Sequence, residues 1–314
     1  MALKRLSVVI CTHARPEGLA ELLDSLRPQV EGHPGREIVV VNDGTDGARY
    51  NEALVGRRDL VRYEPLPSPV GIARARNRSA ELAEGEFLVF TDDDCVVPPH
   101  WLDWLEARLA QHPELDVVAG TTRPRDPERA NFVGRIQAHY ELLPRPYPLE
   151  NGEQLFVTAC LAIRASVFRE LGGFNTRPLF AEAGEDSELS ARLFRHRARV
   201  RVDLQWHVFH LLARSLGGEV RRFRKYGFAN GLMAKEPTAP RAYGTLQHKR
   251  RRNLPRDFAH HYWRNRAKAR GFSTNPLVRV ASLAALALLQ SAYDEGAIAG
   301  TREWNRRQRG RGTQ

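Results

Sequence analysis

The chain has 314 residues, 42% of them hydrophobic, and a formal net charge of +11. That length and apolar content support one large α/β domain, or a domain with an extension, and exclude global disorder. The charge calls for an anionic partner such as a phosphate-bearing substrate, an acidic membrane surface or nucleic acid. Nearly all of it is arginine, which genomic base composition alone can produce.

In chain order, "LSVVICT" (6–12) is a β-branched run suited to a buried strand. The basic start and short apolar run before "HARP" are too short for a signal-peptide core. "RPEGLAELLDSL" follows with Pro16 and Glu17 in a first turn and Leu19, Leu22, Leu23 and Leu26 on one helical face. "EIVVVNDG" is a second strand, and "VRYEPLPSP" is a third, followed by a proline-rich loop. "VGIARARNRSAELAEG" is a helix closed by Gly85. "EFLVF" is a strand that delivers Asp92, Asp93 and Asp94. "PPHWLDWLEARLAQHP" is a helix with proline at its start, and "LDVVAG" is another strand. Strand and helix alternate throughout the first half, which predicts an α/β fold with a Rossmann-like, mostly parallel sheet covered on both faces. Ligands bind outside the carboxyl ends of such strands. Asp43, the three aspartates and Thr12–Arg15 all fall there.

Residues 121–154 turn proline- and arginine-rich and read as a long loop or insertion over the site. Regular structure returns with "FVTACLAIRASVFRELGGF", the acidic-headed helix "GEDSELSARLFRHR", the strand "RVRVDLQWHVFH" and the basic helix "EVRRFRKYGFANG". The division expected is 1–234 as the main domain and 235–314 as a basic, largely helical extension with a disordered tail. In the apolar helix "PLVRVASLAALALLQSAY", the run Val280–Leu289 is too short for a bilayer, which needs about 20 residues. It reads as a docked helix, with interfacial attachment beside the basic tail as the alternative. Cys11, Cys95 and Cys160 have no metal-ligand spacing and read as free thiols of a reducing compartment.

Three adjacent carboxylates repel one another, by about 4 kcal/mol per pair at 4 Å and an effective dielectric near 20. A divalent cation removes that penalty, and Mg²⁺ or Mn²⁺ takes hard oxygen ligands completed by substrate phosphates. On a continuing strand, Asp92 and Asp94 would share one face and Asp93 the other. The plainer alternative is an acidic strand end that caps the next helix.

Together, "SVVICTHARPEGLAELLDSL", "EIVVVNDGT", "GIARARN", "FLVFTDDDC", "FRELGGF" and "GEDSELSARL" resemble family 2 glycosyltransferases over about residues 5–230. The resemblance implies the GT-A fold and a set of residue roles. Thr12 and Arg15 would line a nucleotide pocket, Asp43 would hydrogen-bond the base, and Arg76 and Asn77 would lie near the nucleotide. Asp92 and Asp94 match the DxD motif, with Asp93 between them in the donor site and Asp94 as the metal ligand. Asp186 matches the catalytic base, and His210 matches a late histidine near the metal or diphosphate, with His207 as the competing assignment. Each has a plainer reading: a turn for Asp43, a surface charge for Arg76, a helix-dipole complement for Glu185, Asp186 and Glu188, and a core histidine for His210.

The implied reaction is metal-dependent transfer, with inversion, of a sugar from a UDP-, GDP- or dTDP-linked donor to an acceptor hydroxyl. Mn²⁺ or Mg²⁺ is the expected cofactor. A glycan, a lipid-linked molecule or a small molecule is the acceptor class. Cys160 stands where the family often has asparagine, which puts sugar or acceptor contacts in doubt. No Gln-x-x-Arg-Trp motif follows Phe194, so a non-processive enzyme is expected. A cytoplasmic location is expected. The basic C-terminal region is a candidate for contact with the inner face of a membrane, and no nucleic acid partner is expected. Two rivals stay open. A nucleotidyltransferase would need a glycine-rich loop where "CTHARPEG" stands. An inactive GT-A-like protein would bind an anionic partner without turnover.

Overall fold

The computed structural model describes residues 6–143, 146–148, 154–177, 184–213, 215–235 and 254–311. The chain forms two compact units. The first takes Met1–Arg123, Pro144–Ala181 and Glu185–Leu211; the second takes Pro124–Leu143, Glu182–Gly184 and Leu212–Gln314.

The first unit is built on an eight-stranded sheet, in chain order β1 (Leu6–Thr12), β2 (Arg36–Asn42), β3 (Val61–Pro65), β4 (Phe87–Asp92), β5 (Cys95–Val96), β6 (Val117–Pro124), β9 (Leu161–Arg164) and β10 (Val200–His210). A separate two-residue pair joins β7 (Tyr147–Pro148) to β8 (Gln154–Leu155). The sheet order is β3-β2-β1-β4-β9-β6-β10-β5. The half β3-β2-β1-β4 is parallel throughout. Beyond it β9 runs antiparallel to both β4 and β6, and β5 antiparallel to β10. The sheet is therefore mixed: it is parallel over the first half of the chain, where helices connect successive strands as expected, and antiparallel strands join it beyond β4.

Helices α1 (Pro16–Val30), α2 (Gly47–Ala53), α3 (Ile72–Leu82), α4 (Trp101–Gln111), α6 (Ala165–Glu170) and α7 (Glu185–Arg195) complete the unit. Strand alternation feeds two cores. Leu6, Val8 and Ile10 pack with Leu19, Leu22, Leu23 and Leu26 of α1 and Leu102 and Leu105 of α4. Val9, Leu88 and Phe90 pack on the other face with Ala73, Phe168, Phe174, Leu189 and Leu193. Three local expectations are corrected. The prolines at 98 and 99 precede α4, which starts at Trp101 after His100 turns left-handed at φ 61°. Helix α3 ends at Leu82, before Gly85. Within the expected loop of 121–154, α5 (Phe132–His139) forms in the second unit, because the Asn131 side chain accepts from Gly134 N at 2.9 Å and caps it. Residues 144–145 and 149–153 of that stretch lie outside the described residues, as do 236–253 and the last three of the tail.

The second unit adds α8 (Leu216–Met233), α9 (Leu254–Ala269) and α10 (Pro276–Arg311). Here Gly227 and Gly231 of α8 meet the backbone of Tyr293 and Ala297, while Gly296 and Gly300 of α10 meet that of Arg224 and Phe228. Any side chain at these four positions would collide with a carbonyl. This packing places α8 with the helices after it, whereas the sequence reading puts the boundary at 234. The tail "REWNRRQRGR" continues α10 as helix, held by Glu303 to Arg306 and to Arg307 at 2.8 Å, and is not disordered there. Among the described residues one helix, over Pro276–Arg307, is long and apolar enough to cross a membrane by length and composition.

Gly18 lies in the first turns of α1, where a Cβ would strike the carbonyl oxygen of Asp93. In a helix interior Gly→Ala ordinarily stabilises by roughly 0.5–1 kcal/mol. Here Gly18→Ala is expected to destabilise by about 1–3 kcal/mol through overpacking, read as a lower midpoint in urea. A gain in stability would contradict the close approach of α1 to the aspartate turn.

Candidate active site

Strand β4 ends at Asp92, and Asp93 and Asp94 form the turn into β5. The period of two therefore stops at Asp92, and the expected sharing of one face by Asp92 and Asp94 does not apply. Each carboxylate meets a different partner. Asp92 accepts from Arg76 Nη2 at 2.7 Å. Asp93 is buried and accepts from Thr12 Oγ1 at 2.7 Å, His13 N at 3.3 Å and Arg15 Nη1 at 3.1 Å. Asp94 pairs with Arg15 and lies 3.4 Å, through Oδ1, from His210 Nε2. Burial, reinforced by the charge of Asp94, pushes the Asp93 carboxyl up to about 6, against the pull of Arg15.

The β5–β10 pairing sets Cys95 opposite His210, and Leu211 N donates to the Asp94 carbonyl at 2.8 Å. His210 Nδ1 lies 2.7 Å from the carbonyl oxygen of Leu211. That contact places a proton on Nδ1 and points Nε2 at Asp94, the orientation found in metal-ligating histidines. Ligand atoms of Asp94, Cys95 and His210 all lie within 4.8 Å of one another. Burial raises the Cys95 thiol pKa well above the usual range, and the side chain is fully buried, while Asp94 and His210 offer a carboxylate and an imidazole. A hard oxygen with one nitrogen suits Mn²⁺ or Mg²⁺ better than a thiolate metal. His207 turns away, with Nδ1 on Gln205 O at 2.7 Å, because β10 buries Trp206, Val208 and His210 on the opposite face.

Arg76, on α3, is buried and joins Asp92 to Glu185, the first residue of α7. Its neighbour Asn77 spends its amide on the backbone of Phe174, donating to the carbonyl at 2.9 Å and accepting from N–H at 2.8 Å. Asn77 thus clamps the "GGF" loop. Asp186, half-buried, accepts from Ser187 N at 2.7 Å. Burial first, and then the Glu185 charge, pushes its carboxyl up to about 7, with Arg76 opposing. Glu185 Oε2 is buried with no hydrogen-bond partner among the described residues.

Asp43, at the end of β2, accepts from Val70 N at 2.7 Å and Gly71 N at 3.1 Å and so fixes the proline-rich loop. Gly44 beside it has φ 66°, and a Cβ there would strike Ser68 and Pro69. The turn role of Asp43 is therefore filled, and each oxygen keeps a second lone pair. Cys11, in register with Asp92, has its thiol pushed up to about 12 by burial and is no thiolate at neutral pH. Cys160 is fully buried against Gly120 and Trp206 in the first core.

The sequence reading missed Tyr50 and Glu185 as site residues. Tyr50 is fully buried on α2, with its hydroxyl 2.7 Å from Thr12 Oγ1 and accepting from Arg15 N at 3.0 Å. No local signal marks it, because α2 itself went unread. Glu185 was visible as the residue before Asp186, but only its pairing with a buried Arg76 reveals its part.

A family model, "Glycosyl transferase family 2", matches residues 7–172. The O-antigen biosynthesis protein RfbC of Myxococcus xanthus is 30% identical over 223 residues, 66% of this chain and 17% of that protein. Polypeptide N-acetylgalactosaminyltransferase 8 of Drosophila melanogaster is 28% identical over 215 residues, 61% of this chain and 35% of that one. The chain thus spans well under half the length of these relatives. The mannosyltransferase PcManGT of Pyrobaculum calidifontis, solved with GDP-Man and Mn²⁺, superposes with a TM-score of 0.60 at 18% identity, covering 93% of this chain and 87% of that one. It carries the same fold.

Removing one partner of a buried charge network leaves the others unpaired. Arg76→Met is expected to lower stability by about 3–5 kcal/mol, measured by urea denaturation. A loss under about 1 kcal/mol, the level of an exposed pair, would contradict the burial of this network. With the acidic turn, the family model over more than half the chain, and the matching fold, the chain belongs to glycosyl transferase family 2.

Proposed function

We propose that this chain transfers a sugar from a nucleoside-diphosphate donor, UDP-, GDP- or dTDP-linked, to an acceptor hydroxyl by one inverting displacement. The single observation that carries the reading is the meeting, around buried Arg76, of Asp92 of the acidic turn and the Glu185–Asp186 pair that opens α7.

Asp94 and His210 would hold a divalent cation, Mn²⁺ or Mg²⁺, which would supply positive charge beside the departing diphosphate. Thr12 and Arg15 line the nucleotide side of the turn, and Arg15, its side chain 56% exposed, is free to exchange its hold on Asp94 for a phosphate. Asp43 contacts the base through its remaining lone pairs, and Asn77 keeps the loop before α7 in place. Asp186 takes the acceptor proton as the acceptor oxygen bonds to the anomeric carbon. The bond from that carbon to the diphosphate oxygen breaks, and the nucleoside diphosphate leaves with the electron pair. A carboxyl pushed up to about 7 by burial suits a general base at neutral pH. No covalent intermediate is needed, and the thiol nearest the site is protonated. The acceptor class is a glycan, a lipid-linked molecule or a small molecule, the reaction is non-processive, and the location is cytoplasmic.

Because the base must be ionised, kcat/KM should fall about tenfold per pH unit below pH ~7. Asp186→Asn should lower turnover by roughly 10²–10⁴-fold and leave donor affinity, measured by calorimetry, largely unchanged. A flat acid limb in the wild type, or loss of donor binding in the variant, would remove Asp186 from this role. Asp94→Ala should weaken Mn²⁺ binding, read directly by the EPR signal of free Mn²⁺, by roughly tenfold or more. An unchanged free-ion signal would take Asp94 out of the metal site.

A further inference from the structure

The charge of the chain is segregated. From Leu212 to Gln314 there are 22 Lys and Arg against six Asp and Glu, while the residues before Leu212 have 26 against 31. A compositional arginine bias would not strip the acids from one segment. The stretch from Phe258 to Tyr293 holds five basic residues and no acidic one. These residues form most of α9 and the first half of α10. The two helices run antiparallel, since His261 meets Asp294 at 2.9 Å and Asn265 meets Gln290 at 3.0 Å.

The second half of α10 is committed to α8 by the four glycine contacts. The first half is not covered all round. Leu283, Leu286 and Ala285 turn inward, onto Ile136, Tyr140, Ala269 and Phe272. Leu277, Val280, Ala281 and Leu288 are exposed, with Ala284 half-buried between them. Their spacing of three, four, seven and eleven from Leu277 makes one continuous helical stripe. Leu277 is 78% exposed and Val280 51%. On α9 and just past its end, Arg266, Lys268 and Arg270 are exposed, and Trp263 is 60% exposed with the Arg266 guanidinium 5.4 Å from its ring centroid.

We propose that the stripe Leu277–Val280–Ala281–Ala284–Leu288, with Trp263 and the flanking basic side chains, is a docking surface for an anionic lipid membrane. An apolar helical face, an exposed Trp and exposed cations in a stretch free of acids are the elements of interfacial binding: the stripe enters the acyl boundary while the cations meet headgroup phosphates. Charge complementarity selects the anionic membrane over a second copy of the chain, because two copies would bring like charges together. Spanning would require the inward face of α10 and its glycine contacts with α8 to be released into lipid, so α10 lies on the membrane rather than through it. This surface stands whether or not the first unit transfers sugars.

The test is sedimentation of the full chain with vesicles of phosphatidylcholine alone or mixed with phosphatidylglycerol. Binding is expected to the anionic vesicles only, and release is expected at about 1 M salt, where the Debye length is about 3 Å. The variant Leu277→Ser/Val280→Ser/Leu288→Ser should lose roughly tenfold or more in partitioning with unchanged helicity and Tm. Leu277→Ser alone should lose about threefold, and decides the matter if the triple variant unfolds. Failure to bind anionic vesicles would overturn the proposal, as would binding untouched by these substitutions. So would equal binding to neutral vesicles that resists salt and alkaline washing, which would make α10 a spanning helix. A wild-type dimer that the triple variant dissolves, without vesicle binding, would assign the stripe to self-association and overturn it too.

Discussion

The guanidinium of Arg76 is the constraint on which the site depends. It is buried at the end of the parallel half-sheet, and its two arms tie Asp92, where β4 stops, to Glu185, where α7 begins. A buried arginine is tolerable only with such partners, since an unpaired charge there carries a penalty of several kcal/mol. The partners in turn are acceptable beside one another only because Arg76 stands between them. The same cation also moderates the rise in the Asp186 carboxyl that burial and Glu185 produce. One interaction therefore joins sheet to helix and sets the electrostatics of the proposed base.

The three aspartates divide the work by geometry. Asp92 belongs to the Arg76 network. Asp93 is a positioning group, sunk beneath the turn and held by Thr12, His13 and Arg15, with Tyr50 supporting that loop from behind. Asp94 is the carboxylate presented to His210, whose tautomer is set by a backbone carbonyl on its far side. Arg15 pairs with both Asp93 and Asp94 and is the most exposed member of the set, its side chain more than half exposed. The adjacent charges thus carry distinct roles because the strand ends after the first of them.

Much of this was legible in the sequence. Period-two strands and the Leu19–Leu26 face of α1 follow from local pattern, and the parallel half-sheet follows from the alternation of strand and helix. The antiparallel strand β9 was not, since pairing direction depends on connections too long to read locally. Asp94 and His210 were legible as residue types, but their approach depends on the β5–β10 register across more than a hundred residues. Asn77 and Asp43 were assigned to the nucleotide, whereas their amide and carboxylate first hold loops, a use visible only once Phe174 and Val70 are in place. Tyr50 escaped notice because nothing local distinguishes a buried core tyrosine from one that holds up a loop of the candidate site. The helical tail was misread because high charge suggests disorder, while Glu303 in fact satisfies two arginines within the helix.

The central claim is that the acidic turn is a donor–metal site. The most direct test is nucleotide release from a panel of UDP-, GDP- and dTDP-sugars by the wild type and Asp94→Ala, with Mn²⁺, Mg²⁺ or EDTA, alongside equilibrium binding of each nucleotide. The account predicts slow release of one nucleotide that needs the divalent ion and disappears in the variant. Nucleotide binding that is absent, or that is indifferent both to the metal and to Asp94, would contradict it.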